Sequence, residues 1–231
     1  VSEMFSLWVV PELQKRSLSL SKDEIYKVLV EMPAGEENSV KVFLNSEATL
    51  IVTGKAARDL KAGEEVTSGD LSTLENVYPA DIDPNSGWIC YAKIAEGKAA
   101  FAFDARRNKA DASALIGKAR AFFEIAKEAK DKSIDVAWDN AYSAAELTVQ
   151  AQMLTFGGAS TKKHGVRAKW FYGWTNLENS PKSHYEVLCD LKNNREQSRY
   201  SPDPVKLKPN RIEEVFTLIE EMITNAENRI N

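Results

Sequence analysis

Two long stretches of helical periodicity stand only three residues apart in this chain. Ala110 to Lys130 is alanine-rich and helix-prone, with Ala114, Leu115, Ala119, Phe122, Phe123 and Ala126 forming an apolar stripe. After Asp131-Lys132-Ser133 the pattern resumes from Ile134 to Phe156, through Val136, Ala137, Asn140, Ala141, Ala144, Leu147, Ala151 and Leu154. A link that short makes neighbouring helices antiparallel, and Ser133 suits the N-cap of the second. Ala141, Ala144, Ala145 and Ala151 permit close helix approach, so this stripe reads as core. The second half of the chain is therefore predicted to be a helical bundle.

The rest of that half fits the same plan. Gly157 to Thr161 is a loop without the Gly-x-x-x-x-Gly-Lys-Ser/Thr spacing of a phosphate cradle. Lys162-Lys163-His164 opens a helix carrying Val166, Trp170, Phe171 and Trp174. Bases, aromatics and a histidine interleave here, which suits RNA contact; aromatics in the core with solvated lysines explain the pattern equally well. Asn179-Ser180-Pro181 announces another helix, with Ser180 as cap and Pro181 at the first position. It runs through His184 to Tyr200 and is stopped by Pro202 and Pro204. A last amphipathic helix, Arg211 to Ile230, turns Ile212, Val215, Phe216, Ile219, Ile223 and Ile230 inward.

The first half reads as strands and turns. Phe5 to Val10 is a compact apolar run closed by Pro11. Glu24 to Met32 alternates poorly but is rich in β-formers, and Pro33 to Asn38 breaks it. Val40 to Leu44 and Ala48 to Val52 form one hairpin candidate; Trp88 to Ile94 and Ala99 to Phe103 form a second. Between them Leu60 to Val66 carries a turn, and Ser68 is a candidate cap for a short helix or turn over Gly69 to Leu74. In the loop Tyr78 to Trp88, Asp81, Asp83 and Asn85 alternate as in a calcium loop. The glycine and glutamate that such a loop needs are missing, so it reads as a turn that positions Trp88. The fold class is α+β: a β-rich N-terminal domain, residues 1–107, then an up-and-down bundle of four or five helices, residues 108–231.

Composition narrows the function classes. The formal net charge is −4 and the first half carries the acidic excess, so the chain as a whole is no electrostatic glue for nucleic acid. Cys90 and Cys189 lie far apart and no Cys/His spacing suggests zinc; both read as buried free thiols of a reducing cytoplasm. No metal or other cofactor is expected. No apolar run reaches membrane-spanning length, and the first residues do not follow the order of a signal peptide, so the expected place is the cytoplasm.

The most distinctive stretch is Leu188 to Tyr200, Leu-Cys-Asp-Leu-Lys-Asn-Asn-Arg-Glu-Gln-Ser-Arg-Tyr. Lys192, Arg195 and Arg199 gather at the polar end of an apolar helix. Upstream lie Phe122 to Ala129, Asp139 to Leu147 and Lys162 to Gly165. That order, over roughly Ala110 to Asn231, resembles the HEPN domain, a helical bundle of RNA-cleaving toxins, antiphage systems and nucleotide-binding modules.

The resemblance implies a site. Active HEPN ribonucleases carry Arg, four to six residues, then His, and two such motifs face each other across a dimer cleft. Arg clamps phosphate and offsets developing charge, and His moves the 2′-hydroxyl proton. Here the Arg is Arg195, while Tyr200 stands where the His is expected and Glu196 follows the Arg. A phenol that titrates near pH 10 is a poor base at pH 7, yet it donates hydrogen bonds and stacks on bases. Arg195 and Tyr200 are the candidate catalytic pair. Lys192, Asn194, Arg199, Lys162, Lys163 and His164 are the candidate RNA- or nucleotide-binding residues. His184 lies about three helical turns before Arg195, too far to share its site.

Three functions follow. The first is a homodimeric RNA- or nucleotide-binding protein with a degenerate nuclease site. The second is an active metal-independent endoribonuclease using Arg195, aided by Tyr200 or His164. The third is a non-catalytic scaffold. The family resemblance also implies a toxin–antitoxin or antiphage setting, with a nucleotidyltransferase-type partner.

Overall fold

The computed structural model describes residues 1–35, 39–95, 97–157, 163–208 and 210–230, the Ser68 side chain excepted. The chain divides into two compact units, Val1–Arg107 and Asn108–Asn231.

The first unit opens with a helix rather than a strand. Helix α1 spans residues 2–15, and its middle, Phe5–Val9, is π-helical. Pro11 follows that widened turn. A proline has no N–H for the helix ladder and its ring crowds the carbonyl four residues back; the π turn is where the helix accommodates it. Met4, Phe5 and Val9 are buried, so the apolar run is one face of a helix.

Among the described residues six strands follow: β1 (Lys27–Met32), β2 (Lys41–Leu44), β3 (Leu50–Ala56), β4 (Leu71–Pro79), β5 (Gly87–Ala95) and β6 (Lys98–Asp104). They form an antiparallel sheet in the order β2-β1-β5-β6 and a separate β3-β4 ribbon. The β5-β6 hairpin is the one expected, with Ile89 opposite Phe103. The other expected hairpin is corrected: β2 pairs with β1, Val30 opposite Val42, and β3 pairs with β4 instead. Of the short helix or turn expected over Gly69 to Leu74, the structure keeps one 3-10 turn, Ser68–Asp70, and β4 takes over from Leu71. The turn before it is tied by Asp70, whose carboxylate accepts from the backbone and hydroxyl of Thr67.

Strand β1 alternates poorly because both its faces are covered. Val28 and Val30 pack with Met4, Phe5, Val9 and Tyr91 on the α1 side, where Phe5 meets Tyr91 edge-on at 5.6 Å. Leu29 and Cys90 pack with Ala48, Val77 and Ala100 on the other side. Burial pushes the Cys90 thiol up to about 11. In the loop before β5, Asp83 accepts from the Asn85 amide, as an Asx turn does.

Among its described residues the second unit holds five helices: α2 (Lys109–Ala129), α3 (Ile134–Thr155), α4 (His164–Asn176), α5 (Lys182–Tyr200) and α6 (Arg211–Ile230). Helix α3 packs against each of the other four. Ser133 accepts from the Val136 amide at its start, and Gly157, at φ 90°, follows its end in the left-handed conformation glycine tolerates best. Being central, α3 is buried nearly all round, including Trp138 and Tyr142, which the one-stripe reading left out. Val136 is exposed, not inward. On α2 the buried stripe is Ala112, Ile116, Ala119, Phe123 and Ala126, so Ala114 and Phe122 turn outward. On α6 the inward residues are as expected, with Met222 and Ala226 added and Phe216 partly buried.

Arg120 of α2 clamps α6 by donating to Glu227 at 2.6–2.8 Å and to Glu220 at 2.5 Å. The N-terminus of α5 is also corrected: Pro181 is its N-cap residue, and the Ser180 hydroxyl lies 2.9 Å from Nδ1 of His184 rather than capping the helix. Both cysteines are free; Cys90 is buried and Cys189 half-buried. No helix among the described residues is long and apolar enough to cross a membrane.

Candidate functional site

Helix α3 carries a polar line that meets two neighbouring helices. Asp139, Tyr142 and Glu146 recur three and four residues apart, so they sit above one another on a single face. Helix α5 reaches this line with Arg195 and Arg199, and α4 reaches it with His164 and Arg167.

At one end Asp139 joins the two arginines. Nε of Arg195 donates to Oδ1 at 3.3 Å and Nε of Arg199 to Oδ2 at 3.1 Å. Being four apart on one helix, the arginines present guanidiniums on successive turns. Each uses its Nε for Asp139, and the terminal amino groups of Arg195 have no hydrogen bond among the described residues. The charge of Asp139, with the Tyr200 hydroxyl adding, holds the Arg199 guanidinium above its usual value. These pairs are partly exposed and contribute about 0–1 kcal/mol each, so they orient the arginines more than they stabilise the fold.

In the middle lies Tyr142. The Arg195 guanidinium stands 4.8 Å from its ring centroid, a cation–π arrangement. The Tyr142 hydroxyl donates to Oε1 of Glu146 at 3.0 Å. Burial, reinforced by the charge of Glu146, raises its pKa far above the usual phenol value, so it stays protonated.

At the far end Glu146 is buried and well satisfied. It takes the Tyr142 hydroxyl, a short contact from Nδ1 of His164, and an ion pair with Arg167 at 3.4 Å. His164 Nδ1 is also 3.3 Å from the Tyr142 oxygen. The His164 side chain is 46% exposed, so its ring is anchored on one edge and open on the other.

The structure thus brings Arg195, Arg199 and His164 to one line of contacts. Lys192 shares the helical face of the two arginines and is exposed. Tyr200 ends α5, 77% exposed. Asn194 turns away, donating to the carbonyl and carboxylate of Asp190. There it lines a cavity of about 630 Å³ with Lys206, Lys208 and Arg211. Lys163 adjoins His164 at the start of α4, while Lys162 lies outside the described residues. His184 belongs elsewhere, buried 3.6 Å from Glu221 of α6. Of the α4 aromatics, Phe171 is fully buried, and Trp170 and Trp174 stack on each other. The Trp174 indole donates to Gln152 of α3, so packing accounts for these rings.

The sequence singles out the stretch Asp139 to Leu147 as part of the family resemblance but gives Asp139, Tyr142 and Glu146 no site role, and Arg167 of α4 goes unmarked. The available signal was an acidic, aromatic and acidic residue at helical spacing on one face.

Chemically, the arrangement offers guanidinium groups for an anion, a cation–π tyrosine, an exposed terminal tyrosine, and a histidine backed by a carboxylate. Residues 112–229, just over half of the chain, match the family model described as HEPN domain. Among curated proteins, none matches the chain.

Proposed function

The chain belongs to the HEPN family of nuclease-like and RNA-related helical domains, and we propose that its helical unit binds the phosphate backbone of single-stranded RNA, or a nucleotide, at Arg195 and Arg199. The observation that carries this reading is the shared carboxylate. Asp139 takes one Nε from each arginine and fixes both guanidiniums without occupying their terminal amino groups. Guanidinium amino groups match phosphate oxygens two at a time. Lys192 adds charge on the same face, and exposed Tyr200 supplies a stacking surface for a base. With tyrosine at position 200, the motif of α5 binds phosphate but lacks a proton shuttle of its own. The working unit is a homodimer, in which two such faces line one cleft.

The test is fluorescence anisotropy of a labelled single-stranded RNA at several salt concentrations. Affinity falls steeply with salt for the wild type. Each of Arg195→Ala and Arg199→Ala reduces the slope of log affinity against log salt by about 0.7, the value for one lost single-strand phosphate contact. Absence of salt-dependent binding to RNA or nucleotide would rule the reading out. Light scattering at working concentrations tests the dimer.

A further inference from the structure

The two edges of the four-stranded sheet are finished differently. Its order, β2-β1-β5-β6, leaves one side of β2 and one side of β6 without a neighbouring strand. On β2, side chains close the gap. Arg16 donates to the Val42 carbonyl at 2.6 Å, and the Leu44 amide donates to Glu47 at 3.1 Å. Strand β2 is also short, four residues against seven in β6.

Strand β6 has no such cover. The Lys93 amide donates to the Tyr26 carbonyl on the β1 side, so Ala92 and Cys90 face β6 and take Ala100 and Ala102 as ladder partners. Ala99, Phe101 and Phe103 therefore turn their N–H and C=O groups outward. Among the described residues those outward groups have no hydrogen bond. Opposite Tyr91 and Ile89, Phe101 and Phe103 share their sheet face but lie outside the cluster that α1 covers. Phe101 is 42% exposed and Phe103 65%, and the two rings meet at 6.0 Å. Between Lys98 and Asp104 the strand reads Ala-Ala-Phe-Ala-Phe. It lacks the inner charges and prolines with which natural edges deter pairing.

We infer that a second copy of this chain pairs antiparallel with the outer edge of β6, on a two-fold axis through Phe101. The strand's own sequence selects both occupant and register. About that axis every outward residue meets an outward residue: Phe101 meets its own copy, and Ala99 meets the partner's Phe103. Each donates and accepts, so the ladder closes across the axis. The Phe103 rings fall opposite alanine, which leaves them room. On the other face Lys98 falls opposite the partner's Asp104, at both ends of the contact. Asp104 is already held by Arg106 at 2.9 Å, and Lys98 adds a second cation to that pair. Sliding the strands by two residues one way sets Lys98 against the partner's Arg106. Sliding them the other way sets Lys98 against alanine and Phe103 against glycine. A slip of one residue turns the outward groups away from each other. Opposite charges at the two ends of one strand are what an antiparallel pair of identical strands requires. The contact joins two four-stranded sheets into one, and it stands whether or not the helical unit binds RNA or forms its own pair.

The experiment is cross-linking of the full chain carrying Cys189→Ser, so that buried Cys90 is the remaining native thiol. Under mild oxidation Phe101→Cys is expected to give a disulfide-linked dimer and Phe103→Cys none. Cα atoms in a hydrogen-bonded antiparallel pair stand about 5.5 Å apart, within bridging range. Those at position 103 are about 14 Å apart along the strands, beyond it. Both side chains are exposed, so neither cysteine disturbs the core. Lys98→Glu added to Phe101→Cys slows the linking by about threefold or more, and Lys98→Arg leaves it fast. Equal linking at both positions would mean chance collision, and linking at 103 alone would mean another register. No linking at either would mean that the edge does not pair with its copy. Each of the three overturns the inference. A dimer held by the helical unit alone shows in light scattering but does not produce the 101-only pattern, so the two readings fail separately.

Discussion

The guanidinium of Arg195 rests over the ring of Tyr142, 4.8 Å from its centroid, while the hydroxyl of that ring is bound to Glu146 on the next turn of α3. One side chain thus holds the arginine by its face and the carboxylate by its tip. Substitutions at Tyr142 separate the two roles. Tyr142→Phe keeps the ring and is expected to cost about 1 kcal/mol, the worth of one hydrogen bond with the buried acceptor still partly satisfied. Tyr142→Ala empties a buried site and costs about 3–5 kcal/mol. Urea denaturation of the two variants checks the order; equal losses would mean that the hydroxyl, not the ring, carries the residue's contribution.

Asp139→Ala removes the acceptor that both arginines share. Stability falls by no more than about 1 kcal/mol, since the pairs are partly exposed. RNA binding becomes more salt-dependent, because two guanidiniums lose their internal counter-charge and meet phosphate unneutralised. Anisotropy titrations over a range of potassium chloride read the slope; a slope unchanged from wild type would show that the arginines do not contact phosphate.

Tyr200 is exposed and packs little, so Tyr200→Ala leaves the melting curve within about 0.5 kcal/mol of wild type. The same change weakens single-stranded RNA binding by about 1–3 kcal/mol, and Tyr200→Phe restores it, if the ring stacks on a base. Loss of binding in Tyr200→Phe as well would point to the hydroxyl rather than the ring.

The pH dependence of stability reports on His184. Its buried imidazole is held below its usual value by desolvation, which outweighs the attraction of Glu221. The unfolded chain takes up this proton near pH 6.5 and the folded chain only at lower pH. The stabilisation is therefore complete above about pH 6.5 and is lost as pH falls below it toward the folded value. Thermal melts between pH 5 and 7.5 should show wild type weakening on acidification, with His184→Gln much flatter. The chain has two histidines, so His164→Gln serves as the control.

Much of the helical unit was legible because its signals are local. Periodicity placed five helices, the short link at Asp131 to Ser133 set the antiparallel pair, and Pro202 with Pro204 fixed the end of α5. What failed were pairings that depend on distance. Strand β2 pairs with β1 rather than β3, and nothing local to Val40–Leu44 distinguishes the two partners. The run Phe5 to Val10, read with the strands and turns of the first half, is helical: it is too short for its period to declare itself, and α1 packs on the sheet. In the site, Arg195 and Arg199 were visible as a motif of one helix. Asp139, Tyr142 and Glu146 were not, because their partners lie on other helices and a polar residue in a buried helix looks like noise until those partners arrive. Asn194 was misgrouped for a related reason: next to Arg195 in sequence, it is turned about 100° around the helix, toward Asp190.

That same rotation governs α3. Trp138, whose indole donates to the Leu191 carbonyl inside the core, is the immediate neighbour of Asp139 in the polar line. One residue inserted before Trp138 would turn the tryptophan onto the polar line, and one deleted there would carry the Asp139 carboxylate into the core place that Trp138 fills, a turn of about 100° either way. Substitution can retune this site one side chain at a time, but length variation within α3 is closed to it: insertions and deletions must fall before Ser133 or beyond Gly157, and an insertion scan of the chain should show a silent gap between them.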